Sequence, residues 1–261
     1  MHQKIIKLIH KKLKLDVAVN FRKGNGKTLV IIHGLMGCKE FYDDIWKIEE
    51  YKNFSILIID LVGFGYSSKS EKFSYSMEEQ AKICIFIIEK FNLDRINLIC
   101  HSMGGAIGLI LSKKIPDKIV SFISLEGCMI GKDLSISRTA SNVSFLEFKN
   151  KTFKKIIKKI KQAENENRAF WKKWKCKSSS LAFYNSSKSL VKWCDSGKLL
   201  RIFLKLKIKK SYFYGERNSK MPVLNLIKGK CKLIYIKNTG HFMMVDNPQD
   251  FYSELLKIIA S

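Results

Sequence analysis

The sequence predicts an α/β protein with a mostly parallel central sheet and helices on both faces. Short apolar runs rich in β-branched and aromatic residues alternate along the chain with segments whose apolar residues follow helical spacing. Strands that read as continuous apolar runs are typical of parallel sheets buried on both faces. An interval of about eighty residues between Glu126 and Lys210 is too long for a structureless loop, which predicts a helical insertion.

Seven apolar segments are predicted as strands. The first is followed by the turn residues Gly24-Asn25-Gly26, and the second is a continuous apolar run that ends at His33. The predicted strands cover residues 13–21, 28–33, 55–60, 96–100, 119–125, 211–214 and 232–236. Helical spacing between and after these strands predicts helices over residues 77–91, 104–114 and 250–259.

We assign residues 1–126 and 210–261 to the α/β core and residues 127–209 to the helical insertion. Its segment 147–177 carries eleven lysines and one arginine against three glutamates. The apolar residues of this segment recur at helical spacing and are followed by aromatic ones: Phe153, Ile156, Ile157, Ile160, Phe170, Trp171 and Trp174. This pattern predicts a basic amphipathic helix with an aromatic end. Because ligands bind outside the carboxyl ends of parallel strands, we expect the insertion to cover the site as a cap.

The formal net charge of +25 is the one unusual bulk property of the chain. Lysine is spread over the whole length together with abundant isoleucine and asparagine, a pattern that compositional bias of the source genome also produces. Net charge therefore indicates association behaviour more than fold. The sequence contains no basic motif typical of a known class of nucleic-acid-binding protein, so we expect no nucleic-acid partner. We expect at most a weak contact with anionic membranes through the basic segment 147–177.

The seven cysteines are scattered and include no Cys-x-x-Cys pair. They are interpreted as reduced thiols of a cytoplasmic protein, without a disulfide framework or a metal site. No window approaches about eighteen consecutive apolar residues, and charged residues interrupt the segment 1–12 every two or three positions. These features argue against a membrane span and a signal peptide, and we expect no cofactor.

Ser102 is the strongest candidate for chemistry. It follows an apolar strand directly, and Gly104-Gly105 opens the next helix. A serine on such a strand-to-helix turn has its hydroxyl pushed out above the sheet, where it acts as a nucleophile. Cys100 stands where the pattern Gly-x-Ser-x-Gly has its first glycine, and cysteine is small enough to be tolerated there. The alternative is a serine that only caps the following helix.

A serine nucleophile needs a general base, most often histidine. Of the five histidines, His2 and His10 lie in a charged amino-terminal arm, and His33 ends a central strand. His101 neighbours Ser102 and is expected to point to the other face of its strand. His241 remains, in a loop after the last predicted strand, at the carboxyl edge where a base for Ser102 is needed.

Acyl transfer also needs backbone N–H groups that stabilise the developing oxyanion. Gly34 and Leu35 follow a central strand in the segment His33-Gly34-Leu35-Met36-Gly37, and the N–H of Leu35 is one candidate donor. The N–H of Met103, at the start of a helix, is the second. The alternative interpretation of the first segment is a plain glycine turn.

Four motifs then occur in order along the chain: His33-Gly34; Asp60-Leu61-Val62-Gly63-Phe64-Gly65-Tyr66-Ser67; His101-Ser102-Met103-Gly104-Gly105; and Gly240-His241 with Asp246 and Pro248 downstream. With them the chain from about Leu29 to Ile259 resembles the α/β-hydrolase superfamily, in particular its serine esterase and lipase-like members with a helical cap. The resemblance implies a serine, acid, histidine order and a lid after the strand that the family counts as sixth. It disfavours epoxide hydrolase and haloalkane dehalogenase chemistry, because those relatives use an aspartate where this chain has Ser102.

The acid of the triad departs from the pattern of the family. Relatives most often carry it shortly after the seventh strand, in a pattern like Gly-x-x-Asp, and here that stretch reads Gly215-Glu216-Arg217-Asn218. Other relatives place it at the end of the sixth strand, where this chain has Glu126. Glu126 is therefore our choice, with Glu216 or a neutral Asn218 as alternatives. Its task is to accept the Nδ1 proton of His241 and stabilise the imidazolium.

Two functions follow from this sequence. The first is a serine hydrolase that cleaves a small or medium carboxylic ester, or a thioester or amide, through an acyl-enzyme on Ser102. Its partner would be a small-molecule acyl substrate. The alternative is a catalytically weak or inactive protein of the same fold that binds a ligand, because its acid position is occupied by Asn218.

Overall fold

The computed structural model of the chain describes residues 2–162 and 178–260. Within those ranges one eight-stranded sheet is formed by β1 (His2–His10), β2 (Leu13–Arg22), β3 (Thr28–Ile32), β4 (Ser55–Ile59), β5 (Ile96–His101), β6 (Ile119–Leu125), β7 (Lys209–Gly215) and β8 (Lys232–Ile236). Their spatial order is β1-β2-β4-β3-β5-β6-β7-β8. Strands β3 to β8 run parallel, whereas β2 is antiparallel to both β1 and β4. The predicted mostly parallel α/β sheet is confirmed.

The sheet is covered on both faces because its central strands carry buried apolar side chains on either side. In β3, Val30 and Ile32 belong to one core and Leu29 and Ile31 to the other. Helices between residues 77 and 114 pack on the first face, and the carboxyl-terminal helix packs on the second. Full burial of each large aliphatic side chain contributes about 1.5–3 kcal/mol, so these strands hold the scaffold rigidly beneath the site.

The helices have the following bounds: α1 (Met77–Lys90), α2 (Met103–Lys114), α3 (Ser135–Ser141), α4 (Phe145–Glu147), α5 (Phe153–Gln162), α6 (Ser180–Asp195), α7 (Lys198–Lys205), α8 (Pro222–Ile227), α9 (Met243–Asp246) and α10 (Pro248–Ala260). Short 3-10 helices cover Lys39–Lys47, Glu49–Tyr51, Pro116–Lys118, Gly131–Asp133 and Glu216–Asn218, and a π-helical turn covers Phe148–Thr152. The helices predicted over 77–91, 104–114 and 250–259 correspond to α1, α2 and α10.

The amino-terminal segment differs from the expected charged arm. It forms β1, an edge strand that pairs with β2 over its whole length. Ile6 and Leu8 are buried, whereas Lys7 between them is exposed. The charged residues of this segment therefore form the solvent face of a half-buried strand, in which buried and exposed side chains alternate.

Five helices of the described chain, α3 to α7, lie between β6 and β7. The helix predicted from the spacing of Phe153, Ile156 and Ile157 is present as α5. The predicted aromatic end, with Phe170, Trp171 and Trp174, lies outside the described residues. None of the helices in the described ranges combines the length and the apolar character needed to cross a membrane.

Candidate active site

Ser102 lies at the turn between β5 and α2, at the carboxyl edge of the sheet. Its backbone has φ 51° and ψ −118°, and a conformation of this kind costs a non-glycine residue about 1–3 kcal/mol. Three backbone hydrogen bonds hold it: Ser102 N donates to Leu125 O at 3.0 Å, and Gly105 N and Cys128 N donate to Ser102 O at 2.8 and 3.0 Å. The side chain makes no hydrogen bond that caps α2, so the interpretation of Ser102 as a helix cap is wrong.

Two glycines make room for this turn. A Cβ on Gly108, in α2, would lie 2.3 Å from Cys100 Sγ, so the cysteine that replaces the first glycine of the motif fits because Gly108 has no side chain. A Cβ on Gly34 would lie 2.8 Å from Ser102 Cβ. The close approach of the Gly34 turn to Ser102 therefore depends on glycine at this position.

Glu126 and His241 form a direct pair beside Ser102. His241 Nδ1 donates to Glu126 Oε2 at 2.7 Å. The carboxylate, just past the end of β6, is 1% exposed, whereas the imidazole is 40% exposed. The pair therefore has a buried acceptor and an accessible base, and hydrogen bonds to a charged group are shorter and stronger than neutral ones.

The two alternative acids have other partners. Asn218 Nδ2 donates to both oxygens of Glu126, at 3.0 Å to Oε1 and 2.8 Å to Oε2, and Gly215 N donates to Oε1 at 2.9 Å. Glu216 is exposed and accepts a hydrogen bond from Asn238 N at 2.8 Å. The described hydrogen bonds of Asn218 and Glu216 do not include His241, and Asn218 instead holds the carboxylate that does contact it.

His101 is a second histidine beside the site that was not predicted to contact His241. Its Nε2 donates to the backbone oxygen of His241 at 2.8 Å, and the two ring centroids lie 4.6 Å apart. Complete burial and the neighbouring His241 hold the pKa of His101 well below its usual range, so the ring stays neutral.

Cys128 is a second neighbour of Ser102 that the sequence argument did not single out. Ser102 Oγ and Cys128 Sγ are 3.7 Å apart and share a hydrogen bond. Burial raises the pKa of Cys128 to about 12, so this thiol stays protonated. Ser102 and His241 line the same cavity, but the described hydrogen bonds do not include one between Ser102 Oγ and the imidazole. Such contacts are often long before a substrate is bound.

The Gly34 turn is fixed by the buried side chain of His33. His33 Nδ1 donates to Gly34 O at 2.8 Å, and Leu61 N donates to His33 Nε2 at 3.0 Å. Burial lowers the pKa of His33 to about 4, which keeps the ring neutral and able to serve as donor and acceptor at once. Leu35 lies in this turn and lines the cavity. Met103 is the first residue of α2, and the N–H at such a position has no partner within its helix.

A cavity of about 400 Å³ connects these groups. It is lined by Leu35, Met36, Ser102, Glu126, Cys128, Asp133, Leu134, Ser135, Ile136, Ser137, Phe183, Leu190, Asn218, Met221, His241 and Phe242. A larger groove of about 1080 Å³ lies at the far end of α2, and its described lining residues include no histidine. In the described part of the chain, no three His, Cys, Asp or Glu side chains converge as a metal site requires.

Comparisons with known proteins identify the family of the fold. The sequence profile of the alpha/beta hydrolase fold family matches residues 27–248. An uncharacterized hydrolase of Bacillus subtilis, YugF, is 31% identical over 98 residues, which are 38% of this chain and 36% of that protein. Lipase 1 of Psychrobacter immobilis is 32% identical over 109 residues, which are 41% and 34% of the two chains. These matches therefore span about a third of the length of the curated relatives.

Solved structures cover the whole chain at lower identity. A structure from work on carboxylesterases of the thaumarchaeon Nitrososphaera gargenis has a TM-score of 0.78 at 16% identity and covers 98% of each chain. A thermophilic esterase from Thermogutta terrifontis has a TM-score of 0.78 at 16% identity and covers 99% of each chain. At this identity the likeness concerns the fold.

Proposed function

Because the chain belongs to the alpha/beta hydrolase fold family, we propose that it is a serine hydrolase. It cleaves a small or medium carboxylic ester, or a thioester or amide, through an acyl-enzyme on Ser102. The observation that carries this proposal is the buried Glu126 bonded to the accessible His241 in the cavity that Ser102 lines. The lipase and esterases among the similar proteins support an ester as substrate.

In the first step His241 Nε2 accepts the proton of Ser102 Oγ while this oxygen attacks the carbonyl carbon of the ester. The carbonyl oxygen becomes an anion, and the N–H groups of Leu35 and Met103 donate to it. His241 then gives its proton to the leaving alcohol, and the acyl group stays on Ser102. Water, activated by His241, hydrolyses the acyl-enzyme and restores the serine.

Glu126 acts through His241. Its carboxylate lies 2.7 Å from Nδ1 and is held by Asn218 and Gly215, so it offsets the imidazolium charge that forms in each step. Water screens this attraction little because the carboxylate is buried. His101 donates a hydrogen bond to the backbone oxygen of His241 and remains neutral, so it adds no positive charge next to the imidazolium.

The segment 127–209 acts as a cap that selects the substrate. Leu134, Ile136, Phe183 and Leu190 all come from this segment and line the cavity. A volume of about 400 Å³ lies at the lower end of the range for small-molecule sites, which supports small or medium acyl esters. The cysteines of the described ranges are free thiols, which supports a reducing, cytoplasmic setting.

The test of this proposal is the loss of the Ser102 hydroxyl. We expect Ser102→Ala to lower kcat for p-nitrophenyl butyrate by at least about 10⁴ and to abolish labelling by a fluorophosphonate. Ser135→Ala is the matched control, because Ser135 lines the same cavity from an exposed position and should leave both readouts close to the wild type. Unchanged turnover in Ser102→Ala would overturn the proposal.

The contact between Ser102 Oγ and Cys128 Sγ favours one alternative function, a protein that binds an acyl ligand without turning it over. In that case the wild type neither reacts with the fluorophosphonate nor hydrolyses esters, yet its melting temperature rises with a bound ester. Labelling of the wild type at Ser102 excludes this alternative.

A further inference from the structure

The cavity differs in charge from the rest of the molecule. The chain carries 48 lysines and arginines against 23 aspartates and glutamates. The described residues that line the cavity nevertheless include two carboxylates, Glu126 and Asp133, and neither lysine nor arginine. Glu126 accepts hydrogen bonds from His241, Asn218 and Gly215. For Asp133 Oδ2, the described residues offer no such donor.

Asp133 ends the short helix Gly131–Asp133 at the wall of the cavity. Its Oδ2 is fully buried, and among the described residues it has no hydrogen-bond partner. The nearby Arg138 is engaged elsewhere, because its guanidinium donates to both oxygens of Asp195 and to Gly131 O. Burial, with a smaller contribution from Glu126, raises the pKa of Asp133 to about 6. Above that pH the group is a partly buried anion whose Oδ2 has no partner among the described residues.

Buried polar groups in proteins are almost always hydrogen-bonded, and an exception needs an explanation. A purely structural aspartate would have a donor from its own fold, as Asp60 has from Lys39 N at 2.7 Å and Tyr66 N at 2.9 Å. Asp133 instead lines the space where a substrate would lie. A positive group on a substrate in this space would be attracted to the carboxylate, and a second anion there would raise the cost of its charge further.

We propose that Asp133 is a specificity-determining residue that makes the cavity favour esters with an ammonium group and disfavour esters with a carboxylate. The inference rests on the proposed function, because it names the class of ester that the same site accepts. Asp133 acts on the non-reacting part of the substrate and takes no part in proton transfer.

The test compares esters that differ only in charge, at pH 8. On the alcohol side these are acetylcholine and its uncharged isostere, in which tert-butyl replaces trimethylammonium. On the acyl side they are the p-nitrophenyl esters of trimethylammoniobutyrate, of its tert-butyl isostere and of hemiglutarate. In at least one series we expect kcat/KM to favour the cation over its isostere by about tenfold or more, the effect of one charge pair at a partly buried site. Hemiglutarate should be the poorest acyl substrate.

Asp133→Asn removes the charge at nearly constant shape and should bring the cation-to-isostere ratio within about threefold of one. Asp133→Ser serves the same comparison if the amide variant does not fold, and Asp117→Asn, an exposed aspartate, is the matched control that should keep the wild-type ratio. Equal ratios in wild type and both Asp133 variants would overturn this inference alone, provided that the wild type hydrolyses the uncharged isosteres. Absence of turnover with every ester would overturn the proposed function and this inference together.

Discussion

At the scale of single residues, Glu126 is fixed by more partners than any other group of the site described above. It accepts from His241 Nδ1, from Asn218 Nδ2 at both oxygens and from Gly215 N. Burial of a carboxylate without such donors would be costly, whereas these bonds give both of its oxygens a partner. The side chain that departs from the acid pattern of the family, Asn218, thus donates to Glu126 from the short helix that follows β7.

The first prediction separates Glu126 from Glu216. We expect Glu126→Gln to lower kcat by about 10⁴, because an amide leaves the imidazolium charge unbalanced and favours the wrong tautomer of His241. KM should change much less, since Glu126 does not contact the acyl group. Glu216→Gln is the matched control, because this exposed side chain bonds to Asn238 N and should leave kcat within about twofold. A large loss in Glu216→Gln with full activity in Glu126→Gln would contradict the assignment.

The sequence predicts Ser102, His241 and three candidates for the third position, Glu126, Glu216 and the neutral Asn218, but it does not show which of them contacts His241. The distance between Glu126 and His241 depends on the order and register of β6, β7 and β8 in the sheet. The number of residues between two positions does not reveal that register. The contact of His101 with the backbone of His241 depends on the same register, so the sequence did not reveal it either.

At the scale of elements, continuous apolar runs identified the central strands, because a strand buried on both faces has a simple pattern. The edge hairpin was harder to recognise. In β1 the solvent face carries lysines, and a half-buried edge strand with few apolar residues resembles a charged arm. Besides its pairing with β2, this strand is held by a long-range contact. His10 and Lys11, at the end of the hairpin, form ion pairs with Glu79 of α1, which also pairs with Lys82.

This cluster gives a second prediction, on stability. Hydrogen bonds from Lys82 and His10 hold the pKa of Glu79 at about 2, below its ordinary 4.5, despite burial. A lowered carboxyl pKa stabilises the fold above the unfolded value, and the effect is lost as pH falls from 4.5 towards 2. We expect Glu79→Gln to lower the free energy of unfolding in urea by about 1–3 kcal/mol at pH 7, and by clearly less at pH 3.

The control for this prediction is Glu78→Gln, on the same turn of α1, for which the described contacts give no ion pair. Its free energy of unfolding should differ from the wild type by less than about 0.5 kcal/mol at either pH. A deficit of Glu79→Gln that stays constant between pH 7 and pH 3 would show that the side chain acts through packing, and not through its charge.

At the scale of the whole molecule, the high positive charge lies outside the site. The cavity walls contain neither lysine nor arginine among the described residues, whereas Lys154, Lys155 and Lys158 of α5 are exposed. The apolar side of α5 is already used: Phe153, Ile156 and Ile157 pack against the second core, and the Phe153 ring lies 5.6 Å from those of Phe148 and Phe183. A helix that inserts into a membrane needs that face free.

The last prediction follows for anionic membranes. With a net charge of +25 and no free apolar face on the described part of α5, we expect binding to vesicles with phosphatidylserine to be electrostatic only. The protein should cosediment with these vesicles at about 20 mM salt and no longer at about 0.5 M, where the screening length falls to a few ångströms.

Because each lysine near the surface contributes about 1 kcal/mol, replacing Lys154, Lys155 and Lys158 by glutamine should weaken binding at low salt by tenfold or more. The same change at the exposed Lys228, Lys230 and Lys232 is the control and should weaken it less. Binding that persists at 0.5 M salt would mean that apolar side chains enter the bilayer, and would contradict the assignment of the apolar face of α5 to the core.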